Sequence, residues 1–390
     1  MANFSGPEGD LTEIYLSEPD ILERYVGNQL WTWGDNTDGQ LGDNSINPKS
    51  SPVQTVSGGT NWKQVAAGGN STTAIKTDGT LWTWGSNTYG QLGDNSITHR
   101  SSPVQTVSGG TNWKQVSCSR EDFTAAIKTD GTLWLWGWNN EGQLGDNTIT
   151  SKSSPVQTVA GGTNWKQVSF GERHIAAIKT DGTLWLWGLN SSGQLGDNSI
   201  THRSSPIQTV SGGTNWKQVS CGGSHTAAIK TDGTLWTWGR NVFSGALGNN
   251  STGNRSSPVQ TVSGGTNWKQ VAAGGNSTTA IKTDGTLWTW GSNTYGQLGD
   301  NSITHRSSPV QTVSGGTNWK QVSCNTRNTA AIKTDGTLWN WGDNTYFYGQ
   351  LGDNTGTHRS SPVQTVSGGT NWKQVSVGFL HTTAVTYTES

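Results

Sequence analysis

Repeated carboxylates are the first candidates for chemistry in this chain of 390 residues. An aspartate recurs in Thr-Asp-Gly-Thr segments, for example at Asp78 and Asp232. Because Asp-Gly is typical of tight hairpin turns, we interpret these aspartates as turn residues and not as catalytic acids. Gly-Asp-Asn segments, as around Asp43, lack the dense acidic spacing of a calcium loop and indicate Asx turns. We predict no catalytic residue, no metal and no cofactor.

Three histidines share one position at the start of a predicted strand: His174, His225 and His381. They lie in different copies of a repeat, which argues against a shared metal ion. The other histidines, such as His99 and His202, lie in Thr-His-Arg segments, and we expect them to be solvated.

The cysteines and the overall charge exclude several classes of protein. Cys118, Cys221 and Cys324 follow the same Trp-Lys-Gln-Val-Ser segment, so we predict separate buried thiols and no disulfide. Charged residues make up 13% of the chain and the net charge is -1, which disfavours a nucleic acid partner. No apolar run is long enough to span a membrane, and no secretory signal is visible. We therefore expect synthesis in the cytoplasm.

The elements that position these residues come from a repeat of about 51 to 52 residues. The pattern Leu-Trp-x-Trp-Gly-x-Asn starts at Leu30, Leu81, Leu133, Leu184, Leu235, Leu287 and Leu338. A unit of this length cannot bury its own apolar face, so neighbouring units must stack on one another.

Each repeat divides into four short strands. In one copy these are predicted at residues 216–220, 225–230, 235–238 and 258–262. Asp232-Gly233 predicts a type I′ turn between the second and third strands. Pro258 at the head of the fourth strand cannot donate to a ladder, which indicates an outer edge. We therefore predict an all-β fold, a seven-bladed β-propeller of four-stranded antiparallel blades.

The ends of the chain predict how the ring closes. The repeats begin with a third strand and finish with a first and a second, so N- and C-terminal strands should share the last blade. We assign residues 26–390 to the propeller and residues 1–25 to an acidic leader. The leader forms a short helix over residues 17–27 or a frayed terminus, and could dock to a larger assembly.

The repeat resembles a known family. Trp-Gly-x-Asn-x-x-Gly-Gln-Leu-Gly, with Cys221-Gly222-Gly223-Ser224-His225-Thr226 before the hairpin, is similar to the regulator of chromosome condensation repeat. This resemblance covers about residues 26–388 and implies the seven-bladed propeller with a shared last blade. It also implies a structural role for the shared histidine. It implies no single function, because the family includes an exchange factor for the small GTPase Ran, a plant UV-B photoreceptor and a β-lactamase inhibitor.

Differences between the copies indicate where a partner would bind. Residues 50–118 and 256–324 are identical, and elsewhere the copies differ mainly in the loop between strands one and two and just after Trp-Gly. Both regions should emerge on one face, which is typical of binding loops on a rigid scaffold. Neutral drift is the alternative, although drift should also have altered the opposite loops. The candidate partner-binding residues are Arg120, Glu121, Asp122, Phe123, Trp138, Glu141, Glu172, Arg173, His174, Leu189, Arg240, Phe243, Arg327, Tyr346, Phe347, Tyr348, Phe379 and Leu380.

These observations favour a non-enzymatic recognition scaffold that binds a protein or a glycan, as in a phage virion or host-recognition protein. One alternative is a nucleotide exchange factor for a small GTPase, although the basic tails expected of it are absent. A photoreceptor is a weaker alternative because no tryptophan precedes the shared histidine. A propeller lyase would need a His/Glu cluster at the channel mouth.

Overall fold

Seven antiparallel sheets of four strands make up the described part of the protein. The computed structural model describes residues 25–344 and 348–389, and within these ranges the chain forms 28 β-strands and no helix. The first strand of each sheet packs against the first strands of the neighbouring sheets, so these strands surround a central channel. This arrangement confirms the predicted seven-bladed β-propeller.

The blades are numbered in chain order. The outer strands of blade 7 come first: β1 (Tyr25–Gly34) and β2 (Lys49–Gln54). Blade 1 contains β3 (Trp62–Ala67), β4 (Ser71–Lys76), β5 (Leu81–Gly85) and β6 (Arg100–Gln105). Blade 2 contains β7 (Trp113–Cys118), β8 (Phe123–Lys128), β9 (Leu133–Gly137) and β10 (Lys152–Gln157). Blade 3 contains β11 (Trp165–Phe170), β12 (His174–Lys179), β13 (Leu184–Gly188) and β14 (Arg203–Gln208). Blade 4 contains β15 (Trp216–Cys221), β16 (His225–Lys230), β17 (Leu235–Gly239) and β18 (Arg255–Gln260). Blade 5 contains β19 (Trp268–Ala273), β20 (Ser277–Lys282), β21 (Leu287–Gly291) and β22 (Arg306–Gln311). Blade 6 contains β23 (Trp319–Cys324), β24 (Asn328–Lys333), β25 (Leu338–Gly342) and β26 (Arg359–Gln364). Blade 7 is completed by β27 (Trp372–Val377) and β28 (His381–Glu389).

Blade 7 joins the two ends of the chain, as predicted. Its strand order is β27-β28-β1-β2, and β1 pairs with β28 from Tyr25↔Glu389 to Gly34↔His381. Strand β1 starts at Tyr25, so the helix predicted over residues 17–27 is wrong at its last three residues. There the backbone pairs with strand β28 and does not form the local hydrogen bonds of a helix. The rest of the predicted leader, residues 1–24, lies outside the described residues.

The hairpin turns form where predicted, but their type differs. Only the glycine has a positive φ, 78° at Gly79, and Gly79 N–H donates to Lys76 O at 2.9 Å. This is a three-residue loop in which a turn is followed by a left-handed glycine, and not the predicted type I′ turn. Asp78 stabilises the loop because its Oδ1 accepts the Thr80 N–H at 2.9 Å.

The fourth strand of each blade begins earlier than predicted. In blade 4, β18 starts at Arg255, whose Cα is paired with that of Gly239, and it ends at Gln260. Pro258 therefore lies inside the strand and not at its head. The outer edge of a blade has no further neighbour, so the missing N–H of a proline costs the ladder nothing there.

The repeated tryptophans hold the blades together. Trp84 is fully buried, packs edge-on against Trp62 with 6.1 Å between ring centroids, and donates its indole N–H to Gln40 O of blade 7 at 2.9 Å. The Lys76 ammonium lies 4.5 Å from the centroid of Trp82. These contacts recur around the ring, so the pattern richest in tryptophan is scaffold.

The buried histidines and the three cysteines are structural. The His225 ring nitrogen Nε2 lies 2.9 Å from Thr278 Oγ1 of the next blade, and burial lowers the pKa of His225 to about 4. All three cysteines are free thiols beside the channel; Cys221 is buried as predicted, whereas Cys118 and Cys324 are half-buried. Desolvation raises the pKa of Cys118 to about 11 and that of Cys221 to about 12. In the described part of the chain, no helix could cross a membrane.

Candidate partner-binding face

The two variable regions of each blade lie side by side at one end of the propeller. The residue after strand three donates its N–H to the loop between strands one and two, as from Trp138 to Asp122 O at 2.9 Å and from Leu189 to Arg173 O at 2.8 Å. We call this end the variable face. Its first loops are residues 68–70, 119–122, 171–173, 222–224, 274–276, 325–327 and 378–380, and its second segments start at residues 35, 86, 138, 189, 240, 292 and 343. The opposite end carries the hairpins and the links between blades, and we call it the constant face.

Arg120 lies across the mouth of the central channel on the variable face. Its Nη1 forms an ion pair with Glu172 of blade 3 and lies 3.4 Å from Thr326 Oγ1 of blade 6. The guanidinium carbon lies 3.9 Å from the ring centroid of Phe379 in blade 7. Four blades therefore meet at one arginine. We call Arg120, Glu172, Thr326 and Phe379 the channel-mouth cluster.

A second group of charged and aromatic side chains surrounds Arg173. Its guanidinium lies 3.7 Å from Glu121 Oε2, 4.0 Å from Glu141 Oε1 and 5.0 Å from the ring centroid of Trp138. Trp138 also lies 6.2 Å from the ring of Tyr89 in blade 1. This Arg173 cluster therefore joins blades 1, 2 and 3 through residues that remain partly open to solvent.

Arg327 extends the surface on the other side of the channel. Its Nη1 lies 3.2 Å from Asp343 Oδ2, and its guanidinium carbon lies 4.9 Å from the ring of Tyr295 and 5.7 Å from that of Phe379. Phe379 is thus shared by Arg120 and Arg327. Arginine and aromatic side chains are the types that most often anchor protein interfaces.

Asp122 is the carboxyl group of this face whose pKa is most clearly raised. Burial and then the neighbouring carboxylate of Glu121 raise the pKa of Asp122 to about 6, and Asp38 adds to this effect. The Gln91 amide donates to Asp122 Oδ1 at 2.9 Å, which opposes the rise together with His99. The geometry therefore offers a carboxyl group whose pKa is shifted toward neutral pH.

The second segment of blade 4 exposes an aromatic side chain. Relative to the copy at residues 85–93, the stretch 239–248 has one additional residue and Ala246 in place of glutamine. Phe243 is 81% exposed and has a φ of 69°. The left-handed conformation costs an L-residue about 1–2 kcal/mol. The loop is therefore held in a strained shape that leaves a phenylalanine in solvent.

Two arginines near Phe243 have no carboxylate partner among the described residues. In blade 5, Arg306 forms an ion pair with Asp300 at 2.9 Å, and equivalent pairs occur in other blades. Blade 4 has Asn249 in place of that aspartate, and Arg255 is exposed. Arg240 is exposed as well and follows the residue paired with Arg255. Blade 4 therefore adds positive charge to this face.

The structure removes two residues from the predicted site. Phe123 is 1% exposed and His174 is fully buried, so neither side chain can contact a partner. Both start the second strand of their blade, a position that faces the next blade; His174 Nε2 lies 2.9 Å from Thr226 Oγ1 there. Leu189, Leu380 and Tyr348 are half-buried on the variable face. Tyr346 and Phe347 lie outside the described residues.

Several residues of this face were missed by comparing the copies. Tyr89 and Tyr295 lie in the identical repeats, so their sequences show no variation, yet one contacts Trp138 and the other Arg327. His202 is exposed, as expected, and its Nδ1 also lies 2.9 Å from Glu141 Oε2 of the preceding blade, a contact that comparing the copies did not indicate. Its place in a loop between blades was the available signal.

No cofactor or metal site emerges from the described residues. Within residues 25–344 and 348–389, no group of three or more His, Cys, Asp or Glu side chains is placed to hold a metal ion. The channel-mouth glutamate, Glu172, is already paired with Arg120. The arginine, carboxylate and aromatic side chains of the variable face are suited to contact charged and aromatic groups of a partner.

A family model agrees with the fold. The model described as the RCC1-like domain matches residues 25–253 and 156–390. The chain belongs to the RCC1-like domain family. This confirms the resemblance seen in the repeat and the seven-bladed fold.

Relatives of this RCC1-like chain have different names and lengths. It is 32% identical over 338 residues to the ultraviolet-B receptor UVR8 of Arabidopsis thaliana, covering 83% of this chain and 74% of that protein. It is 28% identical over 342 residues to an X-linked retinitis pigmentosa GTPase regulator homolog of Caenorhabditis elegans, covering 75% of this chain and only 24% of that protein.

Solved structures of yeast Prp20 share the fold. Yeast RCC1 (Prp20) bound to Kap60 superposes with a TM-score of 0.81 at 20% identity, over 100% of this chain and 96% of that one. A second structure, Prp20p from Saccharomyces cerevisiae, described with its binding properties to Gsp1p and histones, gives a TM-score of 0.78 at 19% identity. It covers 95% of this chain and 94% of Prp20p.

Proposed function

We propose that this protein is a non-enzymatic regulator that acts by binding a protein partner with its variable face. The channel-mouth cluster supports the proposal most directly. Arg120 and Phe379 stack there at 3.9 Å on a rigid ring, and both side chains remain partly accessible. Preformed arginine and aromatic anchors lose little entropy when a partner binds, so they favour protein recognition.

The partner class we favour is a small GTPase, whose nucleotide exchange the protein would accelerate. Two relatives support this class: one is named a GTPase regulator homolog, and Prp20p was studied for its binding to Gsp1p. A regulator of this kind needs no covalent chemistry. It needs a surface that binds the nucleotide-free state of its partner better than the nucleotide-bound states.

The other interpretations have less support. A glycan partner, a virion location and host recognition stay predictions, and the named relatives come from a plant, a nematode and yeast. The lyase alternative required a His/Glu cluster at the channel mouth. There Glu172 is paired with Arg120, and burial lowers the pKa of His174 to about 3.

Nucleotide release tests the proposal. Purified small GTPases would be loaded with a fluorescent GDP analogue and mixed with the full chain, and the release rate would be measured by fluorescence. We expect acceleration for at least one GTPase. Arg120→Glu combined with Phe379→Ala should reduce that acceleration by more than about tenfold, because interface anchors carry most of the binding energy.

The matched control lies on the opposite end of the propeller. Thr77 is exposed in a hairpin of the constant face, and Thr77→Glu should leave the release rate unchanged. Thermal unfolding of each variant would confirm that the ring is intact. If no GTPase of the panel responds, the exchange proposal fails. If both variants lost the same share of the acceleration of nucleotide release, binding by the variable face would be contradicted.

A further inference from the structure

A ring of lysines surrounds the channel on the constant face. In every blade the second residue of the inner strand is a lysine, just after the repeated tryptophan. These inner strands start at the constant face and pack against one another around the channel. We call these residues the lysine ring: Lys63, Lys114, Lys166, Lys217, Lys269, Lys320 and Lys373.

A β-bulge sets the position of each ring lysine. In blade 1, Trp62 pairs with Lys76 and Gln64 pairs with Ile75, so Lys63 is the additional residue of the strand. The same irregularity recurs at the equivalent residue of all seven inner strands. A bulge re-aims a side chain relative to the regular pleat, and bulges are frequent next to functional sites.

The ring lysines lie close enough to affect one another. Burial, then the ammonium groups of Lys63 and Lys320, lower the pKa of Lys373. Burial and then Lys269 lower the pKa of Lys320. Like charges that repel across neighbouring blades make this end of the channel favourable for an anion.

The N-terminal leader is an acidic segment attached beside this ring. Residues 1–24 contain six Asp and Glu residues and one arginine. The described chain begins at Tyr25, at the constant-face end of β1. Nearby, Asn28 N–H donates to Thr60 O at 2.6 Å, three residues before Lys63, and the Lys373 ammonium lies 5.2 Å from the ring of Tyr387. Asn28 and Tyr387 are direct cross-strand partners.

We propose that the acidic leader, residues 1–24, binds the lysine ring of its own chain. Charge complementarity and the point of attachment support this occupant. A segment of 24 residues spans up to about 80 Å when extended, which is ample reach across a channel mouth. This inference concerns the constant face and does not depend on the proposed function.

Peptide binding in trans tests the inference. A fluorescein-labelled peptide of residues 1–24 would be titrated into the full chain and into a variant that lacks residues 1–24, with fluorescence anisotropy as the readout. We expect the truncated protein to bind the peptide about tenfold more tightly, because the tethered leader competes at millimolar effective concentration. Raising the salt concentration should weaken binding, since exposed charges are screened.

Substitutions in the truncated protein locate the contact. Lys63→Gln with Lys373→Gln should weaken peptide binding, while Lys152→Gln on the outer strand of blade 2 should not. A peptide with its carboxylates replaced by amides should not bind. Circular dichroism and thermal unfolding would confirm folding.

Several outcomes would overturn the inference. These are equal peptide affinity for the full and truncated chains, unchanged affinity in the ring variant, or binding of inorganic triphosphate alone. The last result would make the ring a site for a free anion. None of these outcomes bears on nucleotide release at the variable face, so the two proposals can fail separately.

Discussion

Asp122 lies where blades 7, 1 and 2 meet on the variable face, and ionisation of its carboxyl group should change the free energy of unfolding. Burial, Glu121 and Asp38 raise its pKa to about 6, against the opposing effects of Gln91 and His99. The folded-state pKa lies above the ordinary value of 3.8, so the folded protein holds this proton more tightly than the unfolded chain does. The contribution of the protonated carboxyl group to the free energy of unfolding is therefore complete below pH 3.8 and is lost as the pH rises through 6.

Asp122→Asn should therefore stabilise the protein at neutral pH. The amide keeps an oxygen to accept the Gln91 bond, and asparagine tolerates the positive φ of 58° at this residue. We expect a gain of about 1 kcal/mol at pH 7, less than the full pKa shift implies because the group is partly exposed. Urea unfolding between pH 4 and pH 8 measures it. A gain that persists at pH 4 would contradict the assignment to the carboxylate.

At the scale of the element, the hairpin of each blade also links that blade to the next. Gly79 O accepts the Trp113 N–H of blade 2 at 3.0 Å, and a Cβ on Gly79 would lie 2.1 Å from Thr111 O. Gly109 also has a positive φ, but a Cβ there would meet nothing within 4 Å.

Gly79→Ala should thus cost more stability than Gly109→Ala. Both substitutions should lower the free energy of unfolding by about 1 kcal/mol, because the alanine must adopt a left-handed conformation. Only Gly79→Ala adds a clash with the backbone, which costs roughly 1–3 kcal/mol more. Chemical unfolding of the two variants measures the difference. Equal losses would show that the hairpin does not set the contact between blades.

The blades and their closure could be predicted from the sequence, whereas the type of turn in each hairpin could not. Tryptophan, proline and Asp-Gly recur at fixed spacing, and that spacing was sufficient for the blades, their number and their closure. The turn type was not predictable from Asp-Gly, because the dipeptide suits both kinds of hairpin. Pro258 correctly indicates the outer edge but not the start of its strand, because a strand with a free edge tolerates a proline at an inner position.

Most of the candidate face was predicted in outline but not in its contacts. Variation between copies identified Arg120, Glu172 and Phe379, which do meet at the channel mouth. It also selected His174, whose side chain is buried against the next blade. Contacts between different blades depend on the closed ring, so no local pattern reveals them.

For the whole molecule, blade 7 is the point at which the ring closes without a covalent connection between its second and third strands. Elsewhere these strands are joined by a hairpin, as β4 and β5 are. Blade 7 relies instead on the longer pairing of β1 with β28. Holding the two chain ends together opposes the entropy of the open chain, so a covalent link here should stabilise the entire propeller.

A disulfide between residues 28 and 387 tests this expectation. Asn28 and Tyr387 are direct cross-strand partners whose N–H groups donate away from each other, to Thr60 O and Asn371 O. They form a non-hydrogen-bonded pair, whose short Cα separation suits a disulfide. In Asn28→Cys with Tyr387→Cys, the native thiols, with pKa values raised to about 11 to 12, should not compete for oxidation because little thiolate is present. Guanidinium unfolding should show the oxidised form more stable than the reduced form of the same variant by about 3–5 kcal/mol. Equal midpoints would mean that unfolding begins at another blade.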